Sequence, residues 1–123
     1  MSHNNPKITI VTVVFNAIDC IENTILSVIN QDYDNKEYII IDGGSTDGTL
    51  EIIKKYNHEI NFWISEKDLG IYDAMNKGIN AASGFWINFM NAGDCFYDSK
   101  VLYKVFNNSV YDKIDILYGN HQV

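Results

Sequence analysis

Two short segments of the sequence combine glycines with carboxylates in a way that suits the binding of a charged ligand. Residues 42–49 read DGGSTDGT, and residues 91–94 read NAGD. Glycines let a backbone turn sharply and approach a ligand, and free N–H groups at the start of a following helix attract anions. A carboxylate with an amide three residues before it offers oxygen ligands to Mg²⁺ or Mn²⁺, which completes its shell with phosphates and water. A metal beside such a backbone fits a diphosphate-containing ligand, since the cation neutralises charge on a departing phosphate.

Each segment also has a purely structural interpretation. Ser45 and Asp47 are natural caps for a helix that follows a tight turn, and Asp94 is equally suited to cap the next helix. The first segment is not a P-loop, because no Gly-Lys-Ser/Thr follows it, and its glycine spacing does not match a dinucleotide-binding motif. On the chemistry of these residues alone, both interpretations stay open.

The composition is that of one ordinary globular domain. The chain has 123 residues, of which 46% are hydrophobic and 20% are charged. Its net charge of −7 argues against a nucleic-acid partner, since a surface that binds a phosphate backbone needs clustered Lys and Arg. Two cysteines are too few for a disulfide framework or a zinc site, and the isoleucines around Cys20 predict a buried thiol. No apolar run is long enough to span a membrane, so we expect a cytoplasmic protein.

Strands alternate with helices along the chain. The almost continuous apolar run at residues 8–15 suits a strand covered on both faces. Helical spacing follows, with Asp19 as the predicted N-cap. The predicted strands are residues 8–15, 38–41, 60–65, 85–90 and 114–118, and the predicted helices are residues 19–31, 48–56, 72–82 and 101–106. Met75, Ile79 and Ala82 are the predicted inward stripe of the third helix, and Phe62, Trp63, Phe85, Trp86 and Phe89 are predicted core residues.

This alternation predicts a parallel sheet with right-handed crossovers. In such sheets ligands bind beyond the carboxyl ends of the strands, at the point where the strand order reverses. The segments that follow the first four strands should therefore lie close together. They are residues 15–16, 42–45, 66–68 and 91–94.

Four segments, in this order and spacing, are similar to family 2 glycosyltransferases. They are TVVFN at 12–16, DGGSTDGT at 42–49, DLGIYDAMNKG at 68–78 and NAGD at 91–94, and the resemblance runs from about residue 7 to residue 119. It implies the GT-A fold, a Rossmann-like α/β fold with a mostly parallel sheet and helices on both faces. It also implies inverting transfer of a sugar from a nucleotide-diphosphate donor to a saccharide or lipid-linked acceptor, with Mg²⁺ or Mn²⁺ as cofactor.

The resemblance assigns the nucleoside to the ends of the first two strands. Val13, Phe15 and Asn16 occupy the positions at which the family holds the base and ribose. Asp42 matches the first acid of the family's Asp-Asp-Gly-Ser segment. Gly43 replaces the second acid, which usually helps to hold the base, so the identity of the base stays open.

The resemblance also indicates how the rest of the donor is held. Asp94 matches the last acid of the family's metal motif and is the expected metal ligand. Asn91 and Gly93 replace the two earlier acids, and Asn91 is a second ligand candidate. Met75 stands where the family often has Arg, so Lys77 becomes the candidate contact to the diphosphate.

Three further residues of the third helix region are donor contacts by the same resemblance. They are Asp68, Tyr72 and Asp73. Alternatively, Asp68 caps the helix, Asp73 is a solvated charge favoured by the helix dipole, and Lys77 is an ordinary surface lysine.

The resemblance leaves the general base unassigned. Displacement at an anomeric carbon needs a base to take the acceptor's proton, and in the family that base follows the fifth strand. We therefore expect residues 1–123 to be a truncated catalytic domain that binds the donor and is inactive alone. Membrane association and oligomerisation stay open. The alternative is a non-catalytic nucleotide-binding or interaction module that kept the fold, and Gly43, Asn91 and Gly93 in place of acids favour it.

Overall fold

The computed structural model describes residues 6–96, residues 98–102 and the strand at residues 116–118. The strands are β1 (Ile8–Val14), β2 (Lys36–Asp42), β3 (Phe62–Ser65), β4 (Trp86–Phe89) and β5 (Ile116–Tyr118). The helices are α1 (Ile21–Ile29), α2 (Thr49–Lys55) and α3 (Ile71–Ala81), with a 3₁₀ turn at Asn57–Glu59. The predicted α/β alternation is confirmed with small shifts of the boundaries. Most of the helix predicted at residues 101–106 lies outside the described residues, as do residues 114 and 115.

The five strands form one parallel sheet in the order β3-β2-β1-β4-β5. β1 lies at the centre and pairs with β2 along its whole length, from Ile8 opposite Lys36 to Val14 opposite Asp42. The strand order therefore reverses at β1, with β2 on one side and β4 on the other. This geometry places the expected ligand crevice beyond the carboxyl end of β1.

Helices cover both faces of the sheet. On one face the buried side chains of β1 and β2 pack against α1 and α2, through residues such as Ile25 and Ile53. On the other face Val11, Ile39 and Phe89 pack against Ala74 of α3. Burial from both sides explains why β1 reads as an almost unbroken apolar run.

Helix α3 approaches the sheet through small residues. Its buried residues are Ala74 and Gly78, and a Cβ added at Gly78 would lie 2.5 Å from Cγ1 of Val11. The predicted inward stripe is therefore wrong at Ile79, which is 38% exposed, although Met75 and Ala82 do pack against the core. The helix lies so close to β1 that only small side chains fit between them.

Several other predictions need correction. The N-cap of α1 is Cys20, which makes no side-chain hydrogen bond, so Asp19 is not the cap. The carbonyl of Ala17 accepts the N–H groups of Cys20 and Ile21 in a turn that precedes the helix. Cys20 is only half-buried. Phe62 on the edge strand and Phe85 before β4 are 45% and 71% exposed, so neither is a core residue. Trp86 and Phe89 are buried and Trp63 packs against the core, as predicted.

Candidate functional site

Two adjoining cavities lie at the carboxyl edge of the sheet. The first, of about 460 Å³, is lined by residues from β1, the start of α3 and the end of β4, among them Val13, Ile71 and Asn91. The second, of about 410 Å³, is lined by Gly43, Gly44 and Lys67 together with three residues of the first cavity. The shared residues are Phe15, Asp68 and Gly70. The carboxyl ends of β1, β2 and β4 thus meet at one site, as the topology predicts.

Asp42, the last residue of β2, holds the glycine-rich turn together. Its carboxylate is fully buried and accepts hydrogen bonds from the N–H groups of Gly44 and Ser45 at 3.1 and 2.9 Å. The hydroxyls of Ser45 and Ser65 donate to it at 2.5 and 2.7 Å. These bonds join the turn to β3 and leave the carboxylate inside the protein. A direct contact between Asp42 and a nucleoside stays a prediction.

The turn after β2 is hydrogen-bonded to the turn after β1. The backbone N–H of Asn16 donates to Oγ of Ser45 at 2.7 Å, and Oδ1 of Asn16 accepts from the N–H of Thr46 at 2.8 Å. Asn16 has a φ of +47°, a region that Asn tolerates better than most residues. The pairing lies next to Phe15, which is 62% exposed and lines both cavities.

Asp47 provides a second bond between these two turns. Its Oδ2 accepts the N–H of Ile18 at 3.1 Å, and its Oδ1 accepts both the N–H and the hydroxyl of Thr49, at 3.0 and 2.6 Å. The hydroxyl bond from Thr49 is the main reason why the pKa of Asp47 lies below its usual value. Asp47 therefore caps the start of α2 from one residue before the formal N-cap, Gly48. Ser45 bonds to Asp42 instead.

The turn between β3 and α3 carries Asp68 into the cavities. Oδ1 of Asp68 accepts the N–H of Gly70 at 3.2 Å. Oδ2 of Asp73 accepts the N–H of Leu69 at 3.0 Å, so Asp73 reaches back across the first turn of α3 as in a capping box. Tyr72 lies beside them and is 79% exposed.

Lys77 lies on α3 and pairs with Glu66, which belongs to the same turn. Its Nζ is 3.0 Å from Oε2 of Glu66 and 3.6 Å from Oδ2 of Asp73. The hydrogen bond to Glu66 is the main cause that raises the pKa of Lys77. Lys77 lines a separate cavity of about 310 Å³ with Phe62 and Ile64. A diphosphate contact by Lys77 stays a prediction and would require the ammonium to leave these partners.

The end of β4 carries the candidate metal ligands. Asn91 lines the first cavity, and its buried Oδ1 has no hydrogen-bond donor among the described residues. A turn at Gly93, with φ of +99°, leads to the half-buried Asp94, whose N–H donates to the carbonyl of Asn91 at 2.9 Å. Within the described part of the chain no group of three or more His, Cys, Asp or Glu residues could hold a metal. An amide oxygen without a donor and a nearby carboxylate fit a hard cation that takes its other ligands from phosphates and water.

Five of the predicted site residues line the two cavities: Val13, Phe15, Gly43, Asp68 and Asn91. The other predicted residues do not line them; these are Asn16, Asp42, Tyr72, Asp73, Lys77 and Asp94. Gly70 and Ile71 also line the first cavity and were not predicted; their position directly after Asp68, on the turn that enters the site, is the signal that could have found them.

Comparison with known proteins decides the family. The sequence model of "Glycosyl transferase family 2" matches residues 9–123. The chain belongs to glycosyltransferase family 2. It is 39% identical over 92 residues to an uncharacterized glycosyltransferase of Mycobacterium tuberculosis, covering 74% of this chain and 35% of that protein. It is 32% identical over 113 residues to a cholesterol galactosyltransferase of Borreliella burgdorferi, covering 90% of this chain and 31% of that protein. This family 2 chain therefore spans about a third of the length of these relatives.

Solved structures confirm the GT-A fold. Residues 1–349 of TarS from S. aureus, in complex with UDP-GlcNAc, match with a TM-score of 0.73 at 23% identity, over 80% of this chain and 30% of that chain. A mannosyltransferase from Pyrobaculum calidifontis, in complex with GDP-Man and Mn²⁺, matches with a TM-score of 0.76 at 22% identity, over 83% of this chain and 32% of that chain. Among the described residues, no helix is both long enough and apolar enough to cross a bilayer.

Proposed function

We propose that residues 1–123 form the donor-binding portion of an inverting glycosyltransferase that uses a nucleotide-diphosphate sugar. The observation that carries this proposal is the pair of adjoining cavities at the point where the strand order reverses, with the exposed ring of Phe15 between them. An exposed aromatic ring at a cavity offers a stacking face to a nucleobase. The complexes of the two structural relatives with UDP-GlcNAc and with GDP-Man support this ligand class.

In this proposal the diphosphate binds in the part of the first cavity that Asn91 lines. Asn91 and Asp94 are the residues that would hold Mg²⁺ or Mn²⁺, and the bound cation would neutralise the charge on the departing nucleoside diphosphate. The net charge of −7 supports a metal, because an acidic chain that binds two phosphates needs a cation or backbone N–H groups to do so. The complex of the mannosyltransferase with Mn²⁺ supports the same assignment.

The acceptor in this proposal is a saccharide or a lipid-linked molecule. Relatives named as a cholesterol galactosyltransferase and as a PGL/p-HBAD biosynthesis glycosyltransferase support a lipid-linked acceptor. Such an acceptor would place the enzyme in the cytoplasm, at the inner face of the cell membrane. The general base and the acceptor site would come from parts of the protein beyond this chain.

Calorimetry with the 123-residue chain tests the donor proposal. UDP or GDP should bind in the presence of Mn²⁺, and Asp94→Ala should abolish the part of the affinity that depends on Mn²⁺. The control is Asp34→Ala, an exposed carboxylate before the amino end of β2, which should bind as the unaltered chain does. A folded sample that binds neither nucleotide would contradict the proposal.

The second candidate function is a nucleotide-binding module without catalysis. It is favoured by Gly43, Asn91 and Gly93, which stand where the family carries acids. Release of UDP or GDP from a nucleotide sugar by the natural gene product with Mn²⁺ separates the two candidates. Turnover supports the transferase, whereas binding without turnover supports the module.

A further inference from the structure

The carboxylate of Asp68 lies in the wall that the two cavities share. Its Oδ1 accepts the N–H of Gly70, whereas its Oδ2 accepts no hydrogen bond from any described residue. Asn91 lines only the first cavity, and Gly43 lines only the second. Since Oδ2 is the Asp68 atom nearest to a Cβ built at Gly43, it faces the β2 side of the site.

Gly43 leaves room for this oxygen. An ideal Cβ built at Gly43 would lie 3.0 Å from Oδ2 of Asp68 and 3.4 Å from its Cγ. Gly43 is not among the residues with positive φ, and its N–H continues the ladder between β1 and β2 through the carbonyl of Val14. Backbone conformation therefore does not require glycine here. The absence of a side chain at Gly43 matters because the Asp68 carboxylate lies against this position.

An acceptor beside an aromatic face selects among nucleobases. Uracil and guanine each carry a ring N–H on the edge that pairs in nucleic acids, whereas cytosine and adenine present a bare acceptor nitrogen there. A carboxylate oxygen accepts from the ring N–H of the first pair, whereas it repels the ring nitrogen of the second pair, which offers only an exocyclic amino group as donor. A hydrogen bond to a charged acceptor is stronger than a neutral one. A charged acceptor that a bound base covers without supplying a donor is costly, which makes the discrimination sharp.

We propose that Asp68 reads the nucleobase of the donor from the turn after β3, in the space that Gly43 leaves open, and selects uracil or guanine over cytosine and adenine. This inference rests on the proposed donor-binding function. If it holds, positions 43 and 68 form a coupled pair, because the space between them fits one carboxylate side chain. Either position can supply that carboxylate.

Titration calorimetry with UDP, GDP, CDP and ADP in the presence of Mn²⁺ tests the inference. The unaltered chain should prefer UDP or GDP. Asp68→Asn should weaken the preferred nucleotide by about tenfold or more, since a charge-assisted hydrogen bond is lost. It should not weaken CDP or ADP, because the repulsion between the carboxylate and their ring nitrogen is removed. Gly43→Ala keeps the charge but displaces Oδ2 by a few tenths of an ångström, and should weaken the same nucleotide by about threefold.

The coupled pair provides a stricter test. Gly43→Asp alone should weaken binding, because two carboxylates then compete for one space. Gly43→Asp combined with Asp68→Gly should restore the preference for UDP or GDP, because the carboxylate returns from the opposite side. The matched control is Asp34→Asn, the same chemical change at an exposed site.

The outcomes distinguish this inference from the function on which it rests. If the chain binds UDP or GDP with Mn²⁺ but Asp68→Asn weakens all four nucleotides equally, or weakens none, the inference fails and the donor function stands. A preference of the unaltered chain for CDP or ADP also overturns it. If a folded chain binds no nucleotide, both fail.

Discussion

At the scale of single residues, Asp42 shows how a carboxylate that resembles a ligand contact can be structural. It follows a strand and precedes two glycines, a pattern typical of binding sites. In the fold its two oxygens receive hydrogen bonds from two N–H groups and two hydroxyls, and the side chain has no exposed surface. Its effect on a ligand would therefore pass through the shape of the turn.

The substitution Asp42→Asn tests this role. An amide removes the charge and replaces one oxygen with an NH₂ group, so at least the hydrogen bond from the Ser45 hydroxyl is lost. We expect the free energy of unfolding to fall by about 2 kcal/mol. Urea denaturation of the variant measures the change. Asp19→Asn, at an exposed carboxylate without a hydrogen bond among the described residues, should have little effect. An Asp42→Asn protein as stable as this control would show that the buried network contributes little.

At the scale of elements, the site depends on two turns that are bonded to each other. The turn after β1 and the turn after β2 exchange hydrogen bonds through Asn16, Ser45 and Asp47. These bonds hold the two turns in one relative position, and Phe15, which lines both cavities, is the residue next to Asn16.

Asp47 makes this pairing sensitive to acid. Its pKa is lowered by the hydrogen bond from the Thr49 hydroxyl, so its contribution to stability is complete above the unfolded value of about 4 and is lost as the pH falls through the folded value. Asp47→Asn should therefore lower the melting temperature at neutral pH and make its decline in acid less steep. Melting curves across this range measure both effects. Parallel declines for the variant and the unaltered chain would contradict the prediction.

A network of ion pairs stabilises the turn between β3 and α3. Lys77 bridges Glu66 and Asp73, and Asp73 in turn accepts the N–H of Leu69 next to Asp68. Lys77→Met should speed amide exchange at Leu69 by about threefold, because a partly exposed pair contributes less than about 1 kcal/mol. Hydrogen exchange followed by NMR measures it.

The control for this network is Lys54→Met, an exposed lysine on α2 without an ion pair among the described residues. It should leave the exchange of Leu69 unchanged. Equal exchange of Leu69 in Lys77→Met and in the unaltered chain would mean that Asp73 holds the turn without help from Lys77.

At the scale of the whole molecule, periodicity predicts the elements, their order and the edge of the sheet at which Phe15, Asp68 and Asn91 meet. It does not predict the exposure of Phe62, because an edge strand and an inner strand have the same alternation. It also cannot show which donors Asp42 takes, since those donors come from two separate segments. Hydrogen bonds between turns depend on tertiary distances that no local pattern contains.

The distance between α3 and the sheet is the clearest example of a tertiary distance that no local pattern contains. It decides the shape of the site, because the amino end of α3 lines the first cavity through Ile71 and Ala74. Gly78→Ala should gain about 1 kcal/mol in helix propensity. Its Cβ, however, would lie 2.5 Å from Cγ1 of the fully buried and branched Val11, so α3 must move away from β1. Because overpacking costs about 1–3 kcal/mol, we expect a net loss of about 1 kcal/mol and weaker nucleotide binding.

A double-mutant cycle separates this clash from the effect on the helix itself. Val11→Ala removes the atoms that Gly78→Ala would meet, so the double variant should lose at least about 1 kcal/mol less than the two single losses predict together. Asn76→Ala, at an exposed position of the same helix, should instead raise stability by about 0.5 kcal/mol, since it changes helix propensity alone. Urea denaturation of the four proteins measures the cycle. Simple additivity would show that α3 is not seated against Val11, and the observed shape of the first cavity would then need another support.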